Sequence, residues 1–204
     1  MDNFIETTGL ALLIGYVLGS IPFGLIIAKL GGAGDIRDIG SGNIGATNVL
    51  RTGRKGLAVA TLLLDLAKGF LAVWIVASLS PGNELLAGAG AILGHLYPVW
   101  LKFKGGKGVA TFMGVALALD WRMGAAYAAI WLGVILVTRI SSLGGLLAAA
   151  SVPLSAYLTG HPEYVPLTAA LALLIVWKHK DNIGRLLKGG EPRVGKSKAA
   201  PPDG

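Results

Sequence analysis

Three polar clusters interrupt a chain that is otherwise mostly apolar, and their side chains could do chemistry. They are GSGNIGATNVLRTGRKG at residues 40–56, GHLYPVWLKFKGGKGVAT at 94–111 and WKHKDNIGRLLKGGE at 177–191. Hydroxyl, amide and cationic side chains beside glycines are groups that bind phosphate, because glycine lets the backbone approach the ligand closely. The first two clusters therefore predict anion binding, and the third adds a candidate orienting histidine.

The first cluster combines hydroxyls and amides with cations. Its candidate binding groups are Ser41, Asn43, Thr47, Asn48 and Arg51. A loop that needed only positive charge would not require this series of amides and hydroxyls. We predict an anion site here, with a plain basic loop as the alternative.

The second cluster places Lys104 and Lys107 among three glycines, next to the start of an apolar segment. These glycines are Gly105, Gly106 and Gly108. We predict that the N–H groups of residues 105–108 surround a phosphate at a helix N-terminus. A nucleotide-binding P-loop is excluded, because Leu101 replaces its first glycine and Gly108 replaces its Ser or Thr. A basic turn between helices remains the alternative.

In the third cluster, His179 and Asn182 share one face of a predicted helix. Such a face could point into a site, although a single histidine at a membrane boundary is often only interfacial. None of the three histidines has an Asp five residues later, so a general base oriented by the carboxylate of a His-x-x-x-x-Asp pair is excluded.

Metal and cofactor chemistry have no support in the sequence. Cysteine is absent, and the spacing of His95, His161 and His179 fits no metal motif. The serines lack the G-x-S-x-G context of a nucleophile. We predict no metal and no cofactor.

Composition indicates a membrane protein in which the polar clusters must lie at helix ends. Of 204 residues, 53% are hydrophobic and 14% charged, with a mean hydropathy of +0.66. We predict an all-α, polytopic transmembrane bundle of about seven spans. The spans are predicted at 9–30, 56–79, 85–101, 109–119, 123–138, 143–159 and 164–178. The fourth is short for a membrane crossing.

Charge distribution predicts the orientation. With the N-terminus outside, Arg122 is the only one of the 18 Lys and Arg residues in an outer segment. Lys29 and Lys68 lie within spans, and the rest lie inside, as the positive-inside rule requires. All three clusters and the C-terminus are then cytoplasmic. The net charge of +7 is explained by topology, and without aromatic stacking residues we predict no nucleic acid partner.

We predict one transmembrane domain over residues 1–190 and a disordered cytoplasmic tail over 191–204, which is rich in Gly, Pro and Lys. Within the second span, Asp65 and Lys68 are three residues apart and are interpreted as a mutually neutralising structural pair. His95 is interpreted as an interior hydrogen-bonding group. Pro22 should interrupt the first helix.

The three clusters, in order, spacing and sidedness, closely resemble the cytoplasmic motifs of the bacterial membrane-integral acyl-phosphate:glycerol-3-phosphate acyltransferases. The segments GSIPFG, LDLAKG and RISSLGG are similar to that family too, so the resemblance covers most of the chain. It implies an enzyme of the bacterial plasma (inner) membrane, with an active site facing the cytoplasm. This enzyme would transfer a fatty acyl group from acyl phosphate to the 1-hydroxyl of glycerol 3-phosphate. The products would be lysophosphatidic acid and inorganic phosphate, in the first step of phospholipid synthesis.

The resemblance also implies residue roles. His179, Asn182 and Ser41 would be catalytic, and the anion-binding groups named above would hold the two substrate phosphates together with Ser142. Which loop binds which phosphate stays open. Glu191 would stabilise the third cluster by pairing with a loop cation. The implied partners are the two substrates, the lipid bilayer and an enzyme that produces acyl phosphate.

Two other classes remain as alternatives. A small transporter or channel for a phosphorylated metabolite would also use glycine-broken helices and lysines, but it needs polar residues in the outer half. The outer segments SPGNELL and LDWRM are short and poor in anion-binding groups. A purely structural subunit would not explain three polar clusters on one side.

Overall fold

The computed structural model describes residues 2–195, and its regular secondary structure there is helical. The helices are α1 (Asp2–Gly19), α2 (Phe23–Leu30), α3 (Ala46–Leu50), α4 (Lys55–Leu79), α5 (Glu84–Leu96), α6 (Val109–Leu119), α7 (Trp121–Thr138), α8 (Ser141–Leu158), α9 (Val165–Lys178) and α10 (Lys180–Leu187). The all-α prediction is confirmed for these residues.

Four helical stretches within residues 2–195 are long and apolar enough to cross a membrane. They are Glu6–Leu30, Lys55–Leu79, Trp121–Thr138 and Ser141–Leu158. Helix α6 is apolar but has only 11 residues, as the sequence predicted for the fourth span. The chain is thus an integral membrane helical protein, and the count of seven spans stays a prediction.

The first apolar segment is broken between α1 and α2 at Pro22. Proline has no N–H to donate, so carbonyls of the preceding turn need other partners. The Lys68 ammonium donates to the carbonyl of Ile21 at 2.8 Å, and the Trp100 indole donates to that of Ser20 at 2.8 Å. The predicted break is confirmed, and neighbouring segments satisfy the carbonyls.

The third apolar segment ends earlier than the sequence predicted. Helix α5 stops at Leu96, and a 3-10 turn over Val99–Leu101 follows. Pro98 disfavours the helical conformation at Tyr97, whose φ and ψ are −137° and 54°. Helix α5 therefore covers only part of the predicted span of 85–101.

Glycines allow the helices to approach each other closely. A Cβ atom on Gly15 of α1 would lie 2.0 Å from the carbonyl oxygen of Ala87 on α5. A Cβ on Gly114 of α6 would lie 2.0 Å from the carbonyl oxygen of Leu66 on α4. Small residues thus let the backbones of neighbouring helices touch, and these two contacts fix α1 against α5 and α6 against the long helix α4.

The loops at the end of the bundle away from the three clusters contact each other. His161, between α8 and α9, lies 3.4 Å from the Asp120 carboxylate, between α6 and α7. Arg122 pairs with Asp120 at 2.6 Å and donates to the carbonyl of Thr159 at 2.8 Å. The polar clusters lie at the opposite end.

Candidate active site

The three polar clusters and the turn between α7 and α8 surround one cavity of about 480 Å³. Most of the sequence-predicted site residues line it: Ser41, Asn43, Thr47, Asn48, Arg51, Asp65, Lys107, Gly108, Ser142, His179, Asn182 and Glu191. The fold therefore brings together groups separated by as many as 150 residues in the sequence.

Asn48 organises the first cluster from inside the protein. Its side chain is buried and donates to the carbonyl of Ile36 at 2.6 Å. Its Oδ1 accepts from the Ser41 N–H at 3.3 Å and from the Arg51 guanidinium at 3.2 Å. The amide of Asn48 is thus largely used within the protein, and its effect is to position Arg51 at the cavity.

Thr47 connects the first cluster to the start of α8. Its hydroxyl lies 2.9 Å from the hydroxyl of Ser141. Ser141, which was not among the predicted site residues, lines the cavity beside the predicted Ser142. The available signal was the pair of adjacent serines at the start of a predicted span, where hydroxyls face the polar end.

Glu191 is held by three donors at the cavity. It accepts hydrogen bonds from the Ser142 hydroxyl at 2.6 Å, from the Asn182 amide at 2.5 Å and from Arg185 Nε at 2.7 Å. Burial acts to raise the pKa of Glu191, but these three donors together hold it below its ordinary value. Glu191 therefore pairs with a cation of the third cluster, as predicted, although that cation, Arg185, lies on α10 and not in a loop.

The segment that follows α10 returns to the cavity. Pro192 and Val194 line it, and the Val194 N–H donates to the carbonyl of Arg139 at 2.7 Å. The predicted boundary of a disordered tail after residue 190 is therefore wrong for residues 191–194. Residues 196–204 of that predicted tail lie outside the described residues.

Lys107 supplies a half-buried cation opposite α10. Its ammonium donates a hydrogen bond to Asn182 Oδ1. Burial lowers the pKa of Lys107 to about 8, with Glu191 acting in the opposite direction. A cation that is desolvated in this way gains charge stabilisation when an anion binds beside it.

The predicted phosphate cradle is wrong for two of its N–H groups. Gly105 donates its N–H to the carbonyl of Leu96 at 3.2 Å, and Gly106 donates to that of His95 at 3.0 Å. Lys104 is exposed and is not among the cavity-lining residues. These glycines therefore pin the loop to the end of α5, and Lys107 provides the charge.

His179 is buried where α9 meets α10, with 2% of its surface exposed. The ring Nδ1 lies 2.8 Å from the carbonyl oxygen of Ile175. A carbonyl only accepts, so Nδ1 carries the proton and a neutral ring leaves Nε2 as an acceptor. Burial lowers the pKa of His179 to about 4, the bond to Ile175 opposes this shift and Lys107 adds to it. The ring is therefore neutral near pH 7.

One wall of the cavity is apolar. Val59 and Leu62 come from α4, Val109 from the start of α6, and Trp131 and Ile135 from α7. Two of these helices, α4 and α7, belong to stretches long enough to cross a membrane. The cavity thus joins a polar end to a surface suited to a hydrocarbon chain.

Asp65 and His95 line the cavity from within the bundle. Lys68 Nζ lies 2.7 Å from Asp65 Oδ1, and both side chains are buried. His95 Nδ1 lies 3.8 Å from the same oxygen and 3.2 Å from the hydroxyl of Thr111. Within residues 2–195, no group of three or more His, Asp and Glu side chains is placed to hold a metal ion.

Comparison with known proteins identifies similar chains along almost the whole length. The family model described as glycerol-3-phosphate acyltransferase matches residues 9–189. The glycerol-3-phosphate acyltransferase of Erythrobacter litoralis is 54% identical over 186 residues, which cover 91% of this chain and 94% of that protein. The enzyme of the same description from Methylorubrum extorquens is 58% identical over 186 residues, covering 91% and 92%.

Two solved structures of PlsY (YgiH), an integral membrane glycerol 3-phosphate acyltransferase, have a similar fold. The glycerol 3-phosphate form is 39% identical, with a TM-score of 0.86 over 92% of this chain and 96% of that one. The lysophosphatidic acid form is 37% identical, with a TM-score of 0.83 over 92% and 95%.

Proposed function

The chain belongs to the glycerol-3-phosphate acyltransferase family, and we propose that it acylates the 1-hydroxyl of glycerol 3-phosphate to give lysophosphatidic acid. We propose acyl phosphate as the donor, so that inorganic phosphate is the second product. The cavity carries this proposal, since it combines cations, among them Arg51 and Lys107, with a neutral acceptor, His179, and an apolar wall.

Both substrates bear a phosphate, and the cavity offers cations from two different loops. Arg51 is positioned by Asn48, and Lys107 by the loop that precedes α6. Cationic donors stabilise phosphate through charge-assisted hydrogen bonds. We propose that each loop binds one phosphate, with the hydroxyls of Ser41 and Ser142 and the amide of Asn43 as additional donors.

The apolar wall supports a fatty acyl chain as the transferred group. A hydrocarbon chain is stabilised by burial against Val59, Leu62 and Ile135. A wall shared by α4 and α7 lets the donor stay partly within the bilayer while its phosphate reaches the polar end.

We propose the following reaction. The 1-hydroxyl oxygen attacks the carbonyl carbon of the acyl phosphate, an ester bond forms and the bond from carbon to the phosphate oxygen breaks. The hydroxyl proton goes to the departing phosphate. His179 Nε2 accepts a hydrogen bond from the attacking hydroxyl and orients it, and Asn182 fixes Lys107 beside it. An acyl phosphate is already activated, so positioning and charge stabilisation supply the catalysis.

We propose that this end of the bundle faces the cytoplasm of a bacterial plasma membrane. The basic residues collect at the end that holds the cavity, which the positive-inside rule assigns to the cytoplasm. A water-soluble phosphate ester and an acyl phosphate made by a separate enzyme would both reach the cavity from that side.

The donor is tested with protein purified in detergent or reconstituted in liposomes. Labelled glycerol 3-phosphate is offered with acyl phosphate, acyl-CoA or acyl carrier protein at equal acyl concentration. We expect labelled lysophosphatidic acid and an equal amount of phosphate with acyl phosphate alone. Product formed only from the thioesters would overturn the donor assignment, and uptake of label without product would support transport instead.

A further inference from the structure

Backbone hydrogen bonds join the loop of residues 105–108 to the end of α5. The N–H groups of Gly105 and Gly106 donate to the carbonyls of Leu96 and His95. The next residue, Lys107, brings its cation to the cavity. Whatever fixes residues 105 and 106 therefore fixes the starting point of the Lys107 side chain.

The imidazole of His95 packs directly against Gly106. A Cβ atom on Gly106 would lie 2.1 Å from His95 Nε2, 2.9 Å from Cε1 and 3.0 Å from Cδ2. These are the three nearest heavy atoms, and all belong to the one ring. The φ of Gly106 is outside the left-handed region, so alanine is excluded here by the ring and not by the backbone.

The ring itself is held on its other side. His95 Nδ1 lies 3.2 Å from the hydroxyl of Thr111 and 3.8 Å from Asp65 Oδ1. Asp65 is paired with Lys68, which also donates to the carbonyl of Ile21 at the break between α1 and α2. All four polar side chains are at most 5% exposed. The ring is thus a fixed support between α4, α6 and the loop.

We propose that His95 is a positioning residue for Lys107: its imidazole holds Gly106, and through Gly106 it sets where the Lys107 ammonium meets the substrate phosphate. His95 itself takes no part in the acyl transfer step. The inference rests on the proposed function, because it assumes that Lys107 binds one of the two phosphates.

The first test compares KM for each substrate in wild type, Lys107→Ala, His95→Asn and His95→Gln. Asparagine places an amide near Nδ1 but leaves the side against Gly106 empty, whereas glutamine can extend toward the position of Nε2. We expect His95→Asn to raise the same KM that Lys107→Ala raises, by up to about 100-fold, because a shift of about 1 Å in a binding group can cost that much. His95→Gln should raise it less, and the KM of the other substrate should change little.

The second test enlarges the side chain at Gly106 and, in a double variant, also shortens the one at His95. Gly106→Ala forces the ring or the loop to move and should raise that KM. In His95→Ala/Gly106→Ala the new methyl group enters space that the ring has vacated. We therefore expect the double variant to have a lower KM than the product of the two single effects predicts.

Gly105→Ala is the matched control for this exchange. Its Cβ would lie 2.1 Å from the carbonyl oxygen of His95 and 2.7 Å from the carbonyl carbon of Leu96, which are backbone atoms. His95→Ala removes neither, so it should not rescue Gly105→Ala. Thermal unfolding of each variant separates loss of fold from loss of positioning.

The outcomes distinguish this inference from the proposed function. If wild type makes no lysophosphatidic acid from either class of donor, the proposed function fails. If wild type is active but the His95 and Gly106 effects multiply without rescue, the positioning role is overturned. It is equally overturned if His95→Asn lowers only the melting temperature and leaves both KM values unchanged.

Discussion

Lys107 donates a hydrogen bond to Asn182, and this contact joins the loop before α6 to the short helix α10. It connects the second polar cluster of the sequence to the third. Asn182 in turn donates to Glu191, so one amide lies between the site's cation and its carboxylate. The cation is therefore positioned by two separate parts of the chain.

Removing the Lys107 charge should impair the reaction strongly. We expect Lys107→Ala to lower kcat/KM by about 100-fold or more, because one preorganised donor to a reacting anion contributes on that order. The measurement is steady-state turnover in liposomes. The matched control is Lys104→Ala, an exposed lysine of the same loop, which should retain most activity. Equal losses of kcat/KM in Lys107→Ala and Lys104→Ala would contradict the assignment of Lys107 as the phosphate-binding lysine.

Activity should depend on pH through the same lysine. Its pKa is about 8, so Lys107 loses its charge as pH rises through that value, and kcat/KM should fall there. Arginine stays charged, so Lys107→Arg should lack this fall even if its activity at pH 7 is reduced. If kcat/KM still falls near pH 8 in Lys107→Arg, the fall is caused by the titration of another group.

His179 should be required as a neutral acceptor. Since its pKa is about 4, the ring stays neutral across pH 5–7 and activity should not fall steeply within that range on its account. We expect His179→Ala to lower kcat by about 100-fold, because the attacking hydroxyl loses the hydrogen-bond acceptor that orients it. His161→Ala, at the opposite end of the bundle, is the control and should leave kcat near wild type.

Glu191 should make stability depend on acid pH. Its pKa is lower in the folded protein, so its contribution is present above the ordinary value of 4.5 and is lost as pH falls through the folded pKa. We expect the melting temperature of wild type to drop over that acid range more than that of Glu191→Gln. Glu6→Gln, at an exposed glutamate, serves as the control and should follow wild type. Parallel curves for wild type and Glu191→Gln would contradict this prediction.

Removing one partner of the buried Asp65–Lys68 pair should destabilise the folded protein more than removing both partners. Asp65→Asn leaves a buried ammonium unpaired, at a cost of about 3–5 kcal/mol. Asp65→Leu/Lys68→Met removes both charges, and we expect it to unfold at a higher temperature than either single variant. A double variant less stable than both singles would show that the charges themselves are needed.

The helices, the break in the first apolar segment and the presence of an anion site could be predicted from local sequence. The apolar runs predicted the helices, because a polar backbone in a membrane must form its hydrogen bonds within a helix. Pro22 predicted the break in the first segment, since proline donates no N–H. The residue types in the first two polar clusters predicted a site for anions. These inferences depend on a few neighbouring residues and on the bilayer as solvent.

Tertiary structure decided how those groups are used. The N–H groups of Gly105 and Gly106 were predicted to face a phosphate, yet they bind the carbonyls at the end of α5. Glu191 was predicted to pair with a loop cation; the cation it meets is Arg185 of α10, and two neutral donors also bind it. The sequence determines which donors and acceptors exist and roughly where each helix runs. Which donor meets which acceptor depends on contacts between distant segments, and only the packed bundle fixes those contacts.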